Sequence, residues 1–164
     1  MTASAGSAQG GAADSAVRAQ LARDVTPALY QQIRRLWIEH SLAEDRRDLP
    51  GLLATLAEDC VYEVVPTGQR WEGHAGARAF YTEFLAAFPD VRFRLTDIVI
   101  GPQGVMEVAE MTGTHRGPWA GRAPTGRPVR LRIIIHFPWN PAAARFAGEK
   151  IYYDRAELDT AAGA

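Results

Sequence analysis

The stretch Val129-Arg130-Leu131-Arg132-Ile133-Ile134-Ile135-His136-Phe137 decides how the chain must be organised. Side chains alternate between the two faces of a strand. Val129, Leu131, Ile133, Ile135 and Phe137 therefore share one face, and Arg130, Arg132, Ile134 and His136 share the other. The first face must be core or pocket lining. The second, with His136 on it, fits a solvated or subunit-interface surface better than a catalytic one. Around this strand lie three more strand-like runs, Val91 to Ile100, Val105 to Thr114 and Glu149 to Asp154, separated by turn-forming Gly, Pro and Asn.

What precedes the strands is helical. Thr26 reads as an N-cap with Pro27 at the first helical position, and Leu29, Ile33, Leu36, Trp37 and His40 follow at helical spacing to about Arg47. A short second helix is expected from Leu49, with Leu52, Leu53 and Leu56. Cys60 to Val65 then reads as a strand stopped by Pro66, and Thr67 to Gly73 as a loop. Ala77, Phe80, Tyr81, Phe84, Leu85 and Phe88 form a wide helical stripe ended by Pro89. Helices gathered ahead of consecutive, antiparallel strands define an α+β fold in which the helices cover one face of a curved sheet.

Composition sets the outer limits. The chain has 164 residues, room for about one domain. Its 47% hydrophobic and 23% charged content suits a globular protein with a core. With 18 Lys+Arg against 19 Asp+Glu and a formal charge of −1, it lacks the basic face that nucleic-acid binding needs. The lone Cys60 excludes a disulfide framework and Cys-based zinc, and reads as a buried small hydrophobe. No apolar run reaches membrane-span length, and no signal peptide is visible, so no membrane partner and a cytoplasmic location are expected. The Ala/Gly/Ser-rich start, residues 1–24, is expected to be a disordered tail in which Asp14 to Ala22 could extend a short helix.

Candidate chemistry is sparse. Glu149, Ile151 and Tyr153 share a face of the last strand. If that face looks inward, Glu149 is a carboxylate among apolar groups, where desolvation disfavours the charged form and suits a base for near-neutral work. The other reading places it at the exposed strand start, paired with an Arg. His40 lies on an apolar stripe, either capping a cavity or buried as a satisfied core histidine, and the stripe favours the core. His74 has no visible partner. The long Gly113 to Val129 loop carries His115 and Trp119, and such loops often carry sites; alternatively Trp119 packs on the helices. The four His show no metal spacing, and dinucleotide, phosphate-loop and nucleophile-elbow motifs are lacking, so neither metal nor cofactor is expected.

Taken with the order of elements, Gly113-Thr114-His115-x-Gly117-Pro118, followed by Gly121, Pro124-Thr125-Gly126 and Val129, resembles the SnoaL-like polyketide cyclases of the nuclear transport factor 2-like superfamily. Gly73 with its helix, Phe88-Pro89-Asp90 and Gly148 to Arg155 extend the likeness, which runs from about Tyr30 to Leu158. It implies one domain over residues 25–158 and a short C-terminal tail over 159–164. It also implies a cone-shaped curved sheet wrapped by N-terminal helices around an apolar cavity, and a homodimer.

The resemblance further implies an enzyme of secondary metabolism, a cyclase or isomerase of apolar polyketide- or terpenoid-like carbonyl compounds. The relatives' acid–base Asp falls at Ile151, and their leucine-rich ending is replaced here. His115 matches a family histidine and Tyr62 a polar cavity position. Glu149, two residues before Ile151, is the substitute base. In this reading Tyr62, Tyr153 or His115 would donate to the enolate oxygen, while Trp119, Trp37, Phe84, Ile133 and Ile151 would hold the substrate. The alternatives are water activation by Glu149 as in limonene-type epoxide hydrolases, or a non-catalytic pocket or dimerising domain that lost the family Asp.

Overall fold

The computed structural model describes residue 15 and residues 17–162; most of the Ala/Gly/Ser-rich tail expected over 1–24 lies outside the described residues. Helix α1 (Pro27–Asp45) starts as the sequence requires, with the Thr26 hydroxyl accepting from the Leu29 N–H at 3.2 Å and Pro27 at the first turn. Asp48 caps α2 (Leu49–Ala54) by accepting from Gly51 N–H at 3.1 Å. There follow β1 (Leu56–Val64), β2 (Gln69–Glu72), α3 (Gly73–Ala87), β3 (Arg92–Gly101), β4 (Gly104–Thr114), β5 (Pro128–Asn140), β6 (Arg145–Tyr153) and α4 (Arg155–Ala162).

All six strands form one sheet in the order β2-β1-β6-β5-β4-β3. Every neighbouring pair is antiparallel except β1 and β6, which run parallel and place Tyr62 opposite Glu149. This pairing corrects the wholly antiparallel expectation: β1 is separated from the later strands by α3, so chain order does not dictate its direction. The segment Thr67 to Gly73, expected as a loop, contains β2, which pairs with β1. Its Gln69-Arg70-Trp71-Glu72 lacks apolar alternation because it is an edge strand with most of its surface in solvent.

The alternation of β5 is realised in full. Val129, Leu131, Ile133, Ile135 and Phe137 are all buried, while Arg130 and Arg132 are exposed. Helices α1 and α3 lie over the inner face, and the core joins Ile33, Leu36, Leu52, Phe80, Phe84, Phe137 and Phe146. Each such side chain removed from water contributes about 1.5–3 kcal/mol before entropy is charged against it. Cys60 is fully buried, and burial pushes its thiol up to about 11, so it is packed and poorly nucleophilic, as read from the strand.

The last strand starts four residues earlier than its pattern announced. Phe146 points inward, Gly148 and Glu149 are both buried, and Ile151 continues inward, so the phase of alternation changes at Gly148. Gly148 has φ +114, and a Cβ there would stand 2.0 Å from the Val61 carbonyl oxygen. This irregularity aims Glu149 into the molecule. Gly148→Ala combines a positive φ with a backbone collision and is expected to lower unfolding free energy by at least about 2 kcal/mol in urea titrations. Gly126→Ala, with φ +70 but open space around the Cβ, should lose only about 1 kcal/mol. Equal losses would show that Gly148 is not a steric requirement.

Candidate active site

Glu149 is 2% exposed, and its hydrogen bonds converge on one oxygen. The hydroxyls of Tyr62 from β1 and Tyr81 from α3 donate to Oε1 at 2.8 and 2.7 Å. His40 Nε2 from α1 lies 3.0 Å from the same atom. The opposite ring nitrogen, Nδ1, is 2.7 Å from Thr55 Oγ1, and the Thr55 hydroxyl donates to the Leu52 carbonyl at 2.6 Å. Thr55 has one hydroxyl proton and directs it to Leu52, so it accepts from Nδ1–H. Nε2 then faces Glu149, so Oε1 is met by two phenols and one imidazole nitrogen, while Oε2 takes none of these bonds.

The tyrosines are locked into this network. Their oxygens are 3.2 Å apart, and burial together with the Glu149 charge holds both phenols well above their ordinary range. They are donors, not bases. His40 packs edge-on against Phe137 and Phe146, which fixes the ring. The core reading of His40 was half the truth: it is a satisfied buried histidine, and what satisfies it is the candidate base.

Glu149 lines an apolar cavity of about 30 Å³ together with Phe80, Phe84, Phe88, Phe93 and Trp119 on one side and Met111, Leu131, Ile133, Ile135, Ile151 and Tyr153 on the sheet side. Of the residues the sequence proposed, Phe84, Trp119, Ile133, Ile151 and Tyr153 reach this space, and Tyr62 touches it only through Glu149. Trp119 also stacks parallel to Trp71, at 6.5 Å, and meets Phe80, Phe84 and Phe88 edge-on. Its loop is pinned to the end of α3 by Arg116 and Gly117 N–H bonds to the Ala87 carbonyl. The packing and cavity readings of Trp119 therefore coincide.

His115 and Trp37 lie elsewhere. His115 is buried against Phe88 at 5.4 Å, outside the cavity lining, and burial lowers its pKa, so it is a neutral loop anchor. Its ring stacks on Phe88, and the loop backbone just after it, at Arg116 and Gly117, is bonded to the Ala87 carbonyl. Trp37 Nε1–H donates to Glu107 Oε2 at 3.0 Å and does not line the cavity.

Two carboxyls were missed in the sequence. Glu107 is 7% exposed in β4, and Glu44 lines the cavity from α1. Both signals were available: Glu107 interrupts the inward set Val105, Ala109 and Met111, and Glu44 lies one turn after His40 and two after Trp37. Among the described residues no group of three or more His, Cys, Asp or Glu is arranged to hold a metal ion, and no helix is long and apolar enough to cross a membrane.

A helix-capped curved sheet enclosing an apolar cavity with one paired carboxylate defines a small pocket protein. The chain belongs to the SnoaL-like polyketide cyclase family, whose family model matches residues 28–162. Its fold is the nuclear transport factor 2-like one, shared with a protein of Jannaschia sp. CCS1 assigned to the SnoaL-like polyketide cyclases (20% identity, 87% of this chain and 98% of that one, TM-score 0.71). AclR of Streptomyces galilaeus, assigned as a hydroxylase, is similar over 82% of this chain and 97% of its own (21% identity, TM-score 0.65). TerC, crystallised with polyporic acid, is similar over 81% and 99% (12% identity, TM-score 0.65). At these identities the likeness is one of fold. No curated protein matches the chain in sequence.

Glu107 offers a test of the site's electrostatics. Burial, reinforced by the Glu149 charge and opposed by the Trp37 hydrogen bond, raises its carboxyl from 4.5 to about 7. The folded state then holds this proton more tightly than the unfolded chain, so the contribution to stability is complete below 4.5 and is lost as pH rises through 7. Urea denaturation of Glu107→Gln between pH 4.5 and 7 should show the variant gaining on the parent by up to about 3 kcal/mol across that window. Parallel stability curves would refute the raised carboxyl.

Proposed function

We propose that this protein is a cofactor-independent enzyme that moves a proton on an apolar carbonyl compound of the polyketide or terpenoid kind, as a cyclase or isomerase, with Glu149 as the base. The observation that carries this reading is a carboxylate set in the wall of an apolar cavity with Oε1 held by three donors. Oε2 is left to meet a substrate. In the step, Oε2 takes a proton from the carbon beside a carbonyl, the C–H electron pair becomes the C=C bond of an enolate, and the carbonyl π pair moves to oxygen. Return of the proton to another carbon gives isomerisation, and attack of the enolate carbon on a second carbonyl gives ring closure. No electrons are gained or lost overall. His40, fixed by Thr55, is a positioning residue that holds the Glu149 carboxyl in the cavity wall.

We assign the enolate contact to Tyr153, which lines the cavity, whereas Tyr62 donates to Glu149 and His115 lies outside the lining. The Jannaschia and TerC resemblances support a pocket for small organic molecules. Water activation by Glu149 would use the same Oε2 and is separated by the test below.

A small aryl ketone such as 1-indanone probes the chemistry without knowledge of the natural substrate. In D₂O, followed by ¹H NMR, the protein should accelerate exchange of the protons beside the carbonyl, and Glu149→Gln, whose amide oxygen still accepts from both tyrosines, should lower the rate by about 10²- to 10⁴-fold. Exchange that is indifferent to Glu149→Gln would remove the proposal, and turnover of a styrene-type epoxide with solvent oxygen incorporated would replace it with water activation.

The outer face of the sheet supports a homodimer as the working unit. Val99, Met106, Ile134 and Tyr152 are 37–65% exposed there, and cross-strand pairing places Val99 beside Met106 and Ile134 beside Tyr152. Large apolar side chains exposed in cross-strand pairs on a sheet face suit a contact between two copies of the chain. Light scattering should give twice the chain mass, and Ile134→Arg should give the monomer mass without unfolding; a monomeric parent would dismiss the dimer.

A further inference from the structure

Glu44 stands where two spaces meet. One is the aromatic cavity containing Glu149, and the other is an open groove of about 770 Å³ along the end of α1, the α3–β3 turn and the edges of β3 and β4. Glu44, Phe84 and Phe93 line both, so a ligand large enough to extend from the cavity into the groove passes this carboxyl. Among the described residues no donor or acceptor is hydrogen-bonded to the Glu44 carboxyl, in contrast with Glu149 and Glu107.

We propose that Glu44 is the hydrogen-bond donor that receives the carbonyl oxygen of the substrate, as the acid opposite Glu149. The inference rests on the proton-transfer reading above and deepens it. The substrate it selects is a neutral ketone or β-dicarbonyl compound, because a carboxylate substrate would set its own charge against Glu149.

The surroundings favour the neutral, donating form. Burial comes first, and the negative charges of Glu149 on β6, Glu107 on β4 and Asp45 beside it add to it, holding the Glu44 carboxyl well above its usual range although part of the residue reaches the groove. Arg47, whose charge opposes this, is turned to the carbonyls of Pro89 at 3.0 Å and Val91 at 3.4 Å. In the groove, Arg94 is paired with Glu110, and Asp90 accepts from Thr114, while Arg92 stands on β3. One cavity thus presents two carboxyls in unlike surroundings, Glu44 at the mouth with no hydrogen-bond partner among the described residues and with its carboxyl raised by burial and like charge, Glu149 bound at Oε1 by Tyr62, Tyr81 and His40. That division assigns acid and base. As Glu149 Oε2 takes the proton from carbon, charge collects on the oxygen that Glu44 O–H already holds, and the bond strengthens in the transition state.

Binding of 4-nitrophenol, whose visible absorption reports the anion, tests the donor without turnover. Glu149→Gln removes the like charge and serves as the background. There, Glu44→Gln keeps a neutral N–H donor and should bind within about threefold of the background, whereas Glu44→Leu should bind at least about tenfold more weakly, the worth of one charge-assisted hydrogen bond. Thermal melting checks that both variants fold; loss of an unpartnered carboxyl should not lower Tm. In the chain with Glu149 intact, Glu44→Leu should slow 1-indanone exchange about tenfold or more, with Glu44→Gln recovering most of it. Equal binding by the Gln and Leu variants, or no binding in the background, overturns the assignment of Glu44. Normal donor behaviour in the binding assay, with exchange that ignores Glu149→Gln, instead overturns the base and leaves the donor standing.

Discussion

A carboxylate placed inside an apolar shell must be paired and hydrogen-bonded, because the cost of taking an isolated ion from water far exceeds any packing gain. In this fold that constraint falls on Glu149, and the partners come from four other elements. Tyr62 is supplied by β1, Tyr81 by α3, His40 by α1, and Thr55, which sets the histidine's proton, by the turn after α2. Loss of Thr55 would leave His40 Nδ1 without its partner, and loss of either phenol would thin the set held on Oε1. The network therefore ties the helical cover to the sheet at one point, and it does so directly beneath the cavity.

The same charge organises its surroundings. Glu149 contributes to raising the carboxyls of Glu44 and Glu107 and the phenols of Tyr62 and Tyr81. Trp37 gives Glu107 a single hydrogen bond, which is enough to bury it without a counter-charge. The result is an interior in which three carboxyls and two phenols lie close together and Glu149 raises the other four.

Membership of the SnoaL-like family fixes the scaffold and leaves the chemistry to individual residues. At the position where the resemblance puts the family Asp, this chain has Ile151, and the structure places that isoleucine in the apolar wall of the cavity. Glu149 occupies the same face two residues earlier, brought inward by the change of phase at Gly148. From there Glu149 is within reach of Tyr81 on α3 and His40 on α1.

Much of this was legible from residue order alone. The caps at Thr26 and Pro27, the stripe on α3 and the period-two faces of β5 depend on neighbours within a few residues, so local sequence determines them. The out-of-pattern Glu149 was visible for the same reason. What only the tertiary structure decided were relations between distant segments: the parallel docking of β1 on β6, the edge pairing of β2, and the meeting of His40, Thr55, Tyr62 and Tyr81 on one oxygen. His40 looked like core from its stripe, and Glu44 was one more acid on an amphipathic helix, because periodicity says which face a residue is on and nothing of what faces it. His115 carried the strongest motif yet stacks behind Phe88, since the path of its loop is set by hydrogen bonds to the end of a helix far from it in sequence. Local physics writes the elements and flags the misplaced charge; the partners of that charge depend on long-range packing, where burial leaves a polar group no choice but to find them.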